Sequence, residues 1–268
     1  MNKIKVPFKF NLEYTLESGQ IFRISKINDG YRVFSSVIFD VYFDGNYLYY
    51  NNADENYIKR FFSLDVDFDK ITNEISKDTH INKALKAFEG LIILTQDPFE
   101  TTVSFICSAF NNIKRIRLML NKICIEYGNQ TKLGYTFPTC GTFFDENRLQ
   151  NCGLGFRKNY IAQLKKGKEF FYYLHNLDTN LAKKELMGIK GIGSKVADCI
   201  LLFAYRRYEV FCTDVWIKRI IEKLYFNNTK QSVRTIEEFG KDYFGKYAGV
   251  AQQYLFLAAK KELYELPS

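Results

Sequence analysis

Between Leu186 and Arg219 the chain reads LMGIKGIGSKVADCILLFAYRRYEVFCTDVWIKR, and two residues in it, Lys195 and Asp214, carry the groups best suited to covalent chemistry. Gly188, Gly191 and Gly193 precede the lysine. Lacking a Cβ, each tolerates positive φ and lets the backbone turn sharply or approach another surface. The pattern predicts a helix, a glycine hairpin and a second helix opening at Ser194. The unpaired N–H groups at that helix start form an anion site suited to a phosphate. The same positive end disfavours an ammonium on Lys195 and so favours a nucleophilic free amine. Asp214 precedes an amphipathic stretch and also reads as a helix N-cap. A phosphate cradle beside an activated amine points to chemistry on nucleic acid. Taken singly, a first-turn lysine is often just solvated and a glycine hairpin also serves proteins that only bind.

The elements that must position these groups divide the chain in two. Residues to about Ser76 read as strands, since GYRVFSSVIFDVYFDGNYLYYNN is dense in Tyr, Phe and Val and alternates around an Asp44-Gly45 pair typical of a tight hairpin. From about His80 the pattern turns helical through INKALKAFEGLIILTQ. Asp97 and Pro98 then supply an N-cap and first-turn proline for a buried helix to about Cys107. The FNNIK segment breaks it before another helix reaches Tyr127, and helices alternate with short turns thereafter. The expected fold is α+β: an N-terminal antiparallel sheet domain, residues 1–78, packed on a mostly helical domain, residues 79–268.

Thirty-eight basic residues against 30 acidic ones give a net charge of +8, which suits a polyanionic partner. No apolar run is long enough to span a bilayer, and MNKIKVPFKF lacks the apolar core of a signal peptide, so a cytoplasmic, nucleoid-associated protein is expected. Cys107, Cys124, Cys140, Cys152, Cys199 and Cys212 are scattered without a CxxC pair, as expected of reduced core thiols. Only two histidines, His80 and His175, are present, which disfavours a zinc site or a histidine-based triad and leaves the lysine amine as the better nucleophile.

The 186–219 stretch resembles the helix-hairpin-helix, Gly/Pro-rich loop and aspartate motif of the endonuclease III-like DNA glycosylases. Within that superfamily, GSKVADCI at Gly193 to Ile200 and the later Asp214 are similar to the eukaryotic-type 8-oxoguanine DNA glycosylases. LESGQIFR at Leu16 to Arg23, TQDPFETTVSFICSAFNNIKRI at Thr95 to Ile116, GLGFRKNYI at Gly153 to Ile161 and YAGVAQQYLF at Tyr247 to Phe256 agree with the same branch, in order along nearly the whole chain. The richness in Asn, Lys, Ile, Tyr and Phe and the short N-terminal segment suggest a bacterial or archaeal member.

The resemblance implies a bifunctional glycosylase and lyase that excises 8-oxoguanine from duplex DNA, as a monomer and without a cofactor. Nothing after Cys212 could supply the iron–sulfur cluster of the endonuclease III branch. Lys195 would attack C1′ of a flipped nucleotide, displace the base and form a Schiff base, with strand cleavage by β-elimination. Monofunctional relatives keep the aspartate and lack this lysine. Asp214 would stabilise the cationic sugar and position Lys195. In the base pocket, the Gly19 carbonyl would meet the N7–H that distinguishes 8-oxoguanine from guanine, Gln252 the Watson–Crick edge, and Phe256 and Cys199 the two ring faces. Arg115 and Arg157 would bond the cytosine opposite the lesion, Phe156 would act as an aromatic wedge, and Asn111, Asn112, Gly191 and Gly193 would meet the duplex.

Two positions depart from the animal enzymes. Phe110 replaces an asparagine that helps read the estranged cytosine, which implies a relaxed opposite-base preference. Trp216 replaces a histidine near a DNA phosphate, so that contact is expected to be lost or remade. The competing readings are a non-catalytic helix-hairpin-helix DNA-binding protein and a glycosylase for another damaged base. The first would need neither Lys195 with Asp214 nor a distant glycine and glutamine.

Overall fold

The computed structural model describes residues 1–264. Its first layer is a five-stranded antiparallel sheet of β1 (Asn2–Lys5), β2 (Ile24–Ile27), β3 (Gly30–Phe34), β4 (Ile38–Phe43) and β5 (Tyr47–Asn51), in the order β1-β5-β4-β3-β2. Alternation sets its inner face: Tyr31 pairs with Val41 and Val41 with Tyr50, giving a buried row across three strands. The expected Asp44-Gly45 hairpin joins β4 to β5. Asp44 Oδ1 accepts the N–H groups of Asn46 and Tyr47, each at 2.8 Å, and Gly45 takes φ +103°.

Helix α1 (Leu12–Glu17) lies between β1 and β2. The strands end at Asn51, well short of Ser76. Residues 55–75 form α2 (Glu55–Phe61) and α3 (Phe68–Ile75), whose starts are capped by Asp54 and Asp67. In α3, Phe68, Ile71 and Ile75 are buried at helical spacing, and in α2 Phe61 meets Phe39 of the sheet edge-on at 5.3 Å. Aromatic density alone reads as strand; the aspartate caps are what reverse it.

The helical layer continues with α4 (Thr79–Ala87), α5 (Pro98–Ser108) and α6 (Ile113–Tyr127), then a two-stranded ribbon of β6 (Gln130–Thr131) and β7 (Gly134–Tyr135). It is completed by α7 (Glu146–Gln150), α8 (Arg157–Ala162), α9 (Lys168–His175), α10 (Thr179–Met187), α11 (Ser194–Tyr205), α12 (Val215–Tyr225), α13 (Val233–Phe244) and α14 (Ala248–Lys260). Asp97 caps α5 and Pro98 opens it, as expected. The helix predicted to run on to Gln96 stops at Ala87. Gly90 at φ +85° packs so closely on Phe10 and Asn11 that a Cβ would lie 2.6 Å from their backbone, and its carbonyl accepts from Asn11 N.

Residues 91–96 therefore run as an extended strap, held by the fully buried Gln20. Gln20 Nε2 donates to the carbonyls of Thr15 and Ile92, Oε1 accepts from Leu94 N at 2.8 Å, and its own carbonyl accepts from Gln96 Nε2 at 2.7 Å. One contiguous apolar core spans sheet and helices, within which α5 packs on α11 and α14 packs on α12 and α4. This frame brings residues 16–23 against α5 and α14.

Candidate active site

Helix α11 begins behind Gly193, which offers no side-chain cap, so the first N–H groups are left bare. Of the three hairpin glycines only Gly191 uses left-handed freedom, at φ +93°, where a Cβ would stand 2.5 Å from the Tyr160 ring. Gly188 and Gly193 keep negative φ, and a Cβ on Gly193 would meet nothing, so its value is an unobstructed helix start. Behind the hairpin, Lys183 of α10 pairs with the fully buried Asp198 of α11 at 2.7 Å and fixes the two helices.

Lys195, in the first turn of α11, is half-buried, with Nζ 3.5 Å from Ser108 Oγ and 5.4 Å from the centre of the Phe105 ring. Cys199 follows one turn later on the same wall. Both line a cleft of about 520 Å³ together with Gly19, Asp214, Trp216, Gln252 and Phe256. Asp214 caps α12 through one oxygen, Oδ1, which accepts from Trp216 N and Ile217 N, each at 2.9 Å. Gly19 sits at φ +83°, and a Cβ there would stand 3.3 Å from the Phe256 ring, so glycine lets this segment lie close against it. Gln252, one turn before Phe256, is buried with Oε1 unpartnered, while Gln253 Nε2 donates to the Ser18 carbonyl at 2.9 Å. An unpaired buried acceptor costs about 1–3 kcal/mol, and one facing a cleft is a group that a ligand's donor can complete.

The electrostatics correct the expectation of a depressed amine. Burial lowers Lys195, but Cys199 above all, then Asp214 and Cys212, outweigh it and hold the ammonium above its ordinary value. Burial opposes ionisation of Cys199, yet a hydrogen bond from Cys212 and the Lys195 charge bring it below the usual thiol range. Cys212, buried and donating to Cys199, is pushed well up. The positive end of α11 is outweighed by Cys199 of the helix itself and by Asp214 and Cys212 from outside it.

At the rim, α5 turns into α6 through Phe110, which is 98% exposed at φ +50°. Asn111 Nδ2 donates to the Cys107 carbonyl at 3.0 Å, and Asn112 caps α6 by accepting from the N–H of the exposed Arg115. Phe156, just before α8, is exposed. Arg157 is only 3% exposed: Nε donates to the Ala109 carbonyl at 3.1 Å, Nη1 to Leu154 at 3.4 Å, and Nη2 to both Ala109 and Phe110. Its donors are engaged by backbone carbonyls on both sides of the rim. Trp216 carries Lys260 Nζ 4.4 Å from its ring centre.

Residues 3–102 match the N-terminal domain model of 8-oxoguanine DNA glycosylase. A probable N-glycosylase/DNA lyase of Methanothermobacter thermautotrophicus is 29% identical over 218 residues, covering 69% of this chain and 68% of that protein. The structure of MBOgg1 in complex with a low-affinity DNA ligand superposes with a TM-score of 0.90 at 32% identity, over 98% of this chain and 100% of that one. The chain belongs to the 8-oxoguanine DNA glycosylase family. A further member, the Clostridium acetobutylicum 8-oxoguanine glycosylase/lyase bound to DNA with cytosine opposite the lesion, gives a TM-score of 0.88 at 30% identity, over 98% of this chain and 99% of that one.

Against this family background, the cleft gathers Gly19, Asn111, Asn112, Lys195, Cys199, Asp214, Trp216, Gln252 and Phe256, nine residues singled out by sequence. Phe110, Arg115, Phe156, Arg157, Gly191 and Gly193 are not among the residues lining it. Sequence reasoning missed Phe22, Phe105, Ser108, Cys212 and Lys260, which also line it. Phe22 and Phe105 lie inside segments that matched the family and could have been found there. Cys212 and Lys260 carried no local signal.

Proposed function

We propose that the chain is a bifunctional 8-oxoguanine DNA glycosylase and apurinic-site lyase acting on duplex DNA, with a relaxed opposite-base preference. The observation that carries this reading is the single cleft shared by the Lys195 amine, the Asp214 carboxylate and the Gly19, Gln252 and Phe256 walls. The C1′–N bond is inaccessible inside a duplex, so the nucleotide must be flipped into that cleft. The Gly19 carbonyl then accepts from the N7–H of 8-oxoguanine; guanine presents a lone pair there and is repelled. The unpartnered Gln252 Oε1 accepts from the Watson–Crick edge, and Phe256 and Cys199 hold the ring faces.

Lys195 attacks C1′ only as the free amine, so its ammonium must first release a proton. As the base departs, positive charge grows on the sugar, and the fixed Asp214 carboxylate stabilises it. The resulting Schiff base acidifies C2′–H and allows β-elimination. The bare start of α11 receives a backbone phosphate. Lys260, held over Trp216, supplies the cation for the contact that the animal enzymes make with histidine. The enzyme works as a cytoplasmic monomer on chromosomal DNA.

Borohydride trapping on duplexes carrying 8-oxoguanine tests this. Wild type should give a covalent protein–DNA adduct, and Lys195→Gln should give none while still binding the lesion duplex. Undiminished trapping by the variant would remove Lys195 from the chemistry, and trapping only on other lesions would reassign the substrate.

A further inference from the structure

All six cysteines are free, and two of them stand apart. Cys199 and Cys212 come from different elements, α11 and the segment before α12, yet their thiols share a hydrogen bond and both line the cleft beside Lys195. Both side chains are nearly buried, at 4% and 3% exposed, and both border the cleft. Cys107, Cys124, Cys140 and Cys152 line no part of it.

We infer that Cys199 and Cys212 form a redox-active pair, which hydrogen peroxide converts to a disulfide that reversibly closes the base pocket. The inference rests on the proposed function only for its consequence, since the bond itself is independent of what the cleft binds. Reactivity of a thiol follows its thiolate fraction and access. The ammonium of Lys195 and the donor Cys212 favour the thiolate of Cys199, whereas burial pushes Cys107 and Cys124 to about 12 and Cys140 and Cys152 to about 11.

In the first step the Cys199 sulfur attacks one peroxide oxygen. An S–O bond forms, the O–O bond breaks, and the departing hydroxide takes a proton to leave as water. The sulfur is oxidised by two electrons to a sulfenic acid and the peroxide is reduced. In the second step the Cys212 sulfur attacks Cys199 sulfur, the S–O bond breaks, and the Cys212 proton leaves with the hydroxyl as a second water. The product draws α11 and the segment before α12 together at disulfide distance. It removes the thiolate that faces Lys195 and the sulfur face that would lie against the base. A thiol reductant reverses it by exchange.

The test treats the full chain with hydrogen peroxide, blocks remaining thiols and maps peptides by mass. Trypsin separates residues 196–206, which hold Cys199, from residues 208–218, which hold Cys212. The expected result is a linked pair of these peptides, lighter by two hydrogens. Excision should fall on the order of tenfold or more, as when a substrate-positioning wall is displaced, and dithiothreitol should restore it. In Cys212→Ala, peroxide should leave no linked pair, and Cys199 should instead be found as a sulfenic acid open to a dimedone-type trap. Absence of the 196–206/208–218 link in wild type overturns the inference, whether or not the variant folds. A link that leaves excision unchanged overturns the pocket closure. Reduced wild type that excises no lesion would sink the functional reading, while the peptide map still decides the bond.

Discussion

Arg157 fastens two exposed aromatic residues to one another: its guanidinium carbon lies 4.3 Å from the centre of the Phe156 ring while its Nη2 donates to the Phe110 carbonyl at 3.2 Å. The turn after α5 and the start of α8 are thereby locked as one rim. A residue in this role supports insertion into the duplex whatever base lies opposite. Arg157→Gln should weaken lesion-duplex binding by a similar factor, roughly tenfold for a lost buried charged hydrogen-bond set, for cytosine, adenine, guanine and thymine alike. Fluorescence of 2-aminopurine placed next to the lesion should fall in parallel, reporting poorer unstacking. A loss confined to cytosine would show that Arg157 turns outward and reads that base.

Phe110 presents an exposed phenyl ring that can stack on any estranged base but offers it no hydrogen bond. Phe110→Asn should shift single-turnover excision toward cytosine by about 1–3 kcal/mol, the scale of one base-edge contact. Because φ at this position is +50°, where asparagine is favoured over bulky residues, the same variant should also melt slightly higher. Wild type that already prefers cytosine as sharply as the variant would exclude Phe110 as a determinant.

Asp214 is both a cap and a catalytic candidate, and asparagine separates the two. Asparagine caps helices about as well as aspartate but carries no charge. Asp214→Asn should therefore keep its melting temperature while excision slows by ~10²-fold or more. A large drop in stability with unchanged excision would leave only the cap.

Glu100 in α5 is buried and accepts from Ser35 Oγ at 2.5 Å; burial pushes its carboxyl up to about 8. The folded state thus keeps a proton that the unfolded chain releases above the ordinary carboxyl range. Stability should fall as pH rises from there toward 8, with a slope approaching ~1.4 kcal/mol per pH unit from this group. Glu100→Gln should flatten that decline and melt higher than wild type near the alkaline end. Parallel melting curves for the two proteins across the window would rule out the raised carboxyl.

That Lys195 and Asp214 share a site was legible because they sit in one continuous stretch with glycine and capping signals around them. The Asp97-Pro98 start and the Asp44-Gly45 turn were legible for the same local reason. Helices α2 and α3 were not, since their aromatic content matches strands and only isolated aspartates mark their starts. The protonation of Lys195 was hidden too: the sequence shows a helix end that disfavours the charge, whereas Cys212, which tips the balance with Cys199 and Asp214, arrives through the fold. Arg157 lay in a matching segment, but nothing local reveals that carbonyls of residues 109 and 110 enclose it.

The bond from Gln253 to the Ser18 carbonyl joins positions 235 residues apart. Such a closure sits at the high end of contact order, where pairing waits for almost the whole chain. On the ribosome, the sheet and the hairpin helices emerge well before α14, so a nascent chain holds Lys195 for some time without the wall formed by Gln252 and Phe256. On the proposed reading, in which Gln252 and Phe256 hold the base that Lys195 displaces, this topology makes lesion selectivity the last property acquired during synthesis.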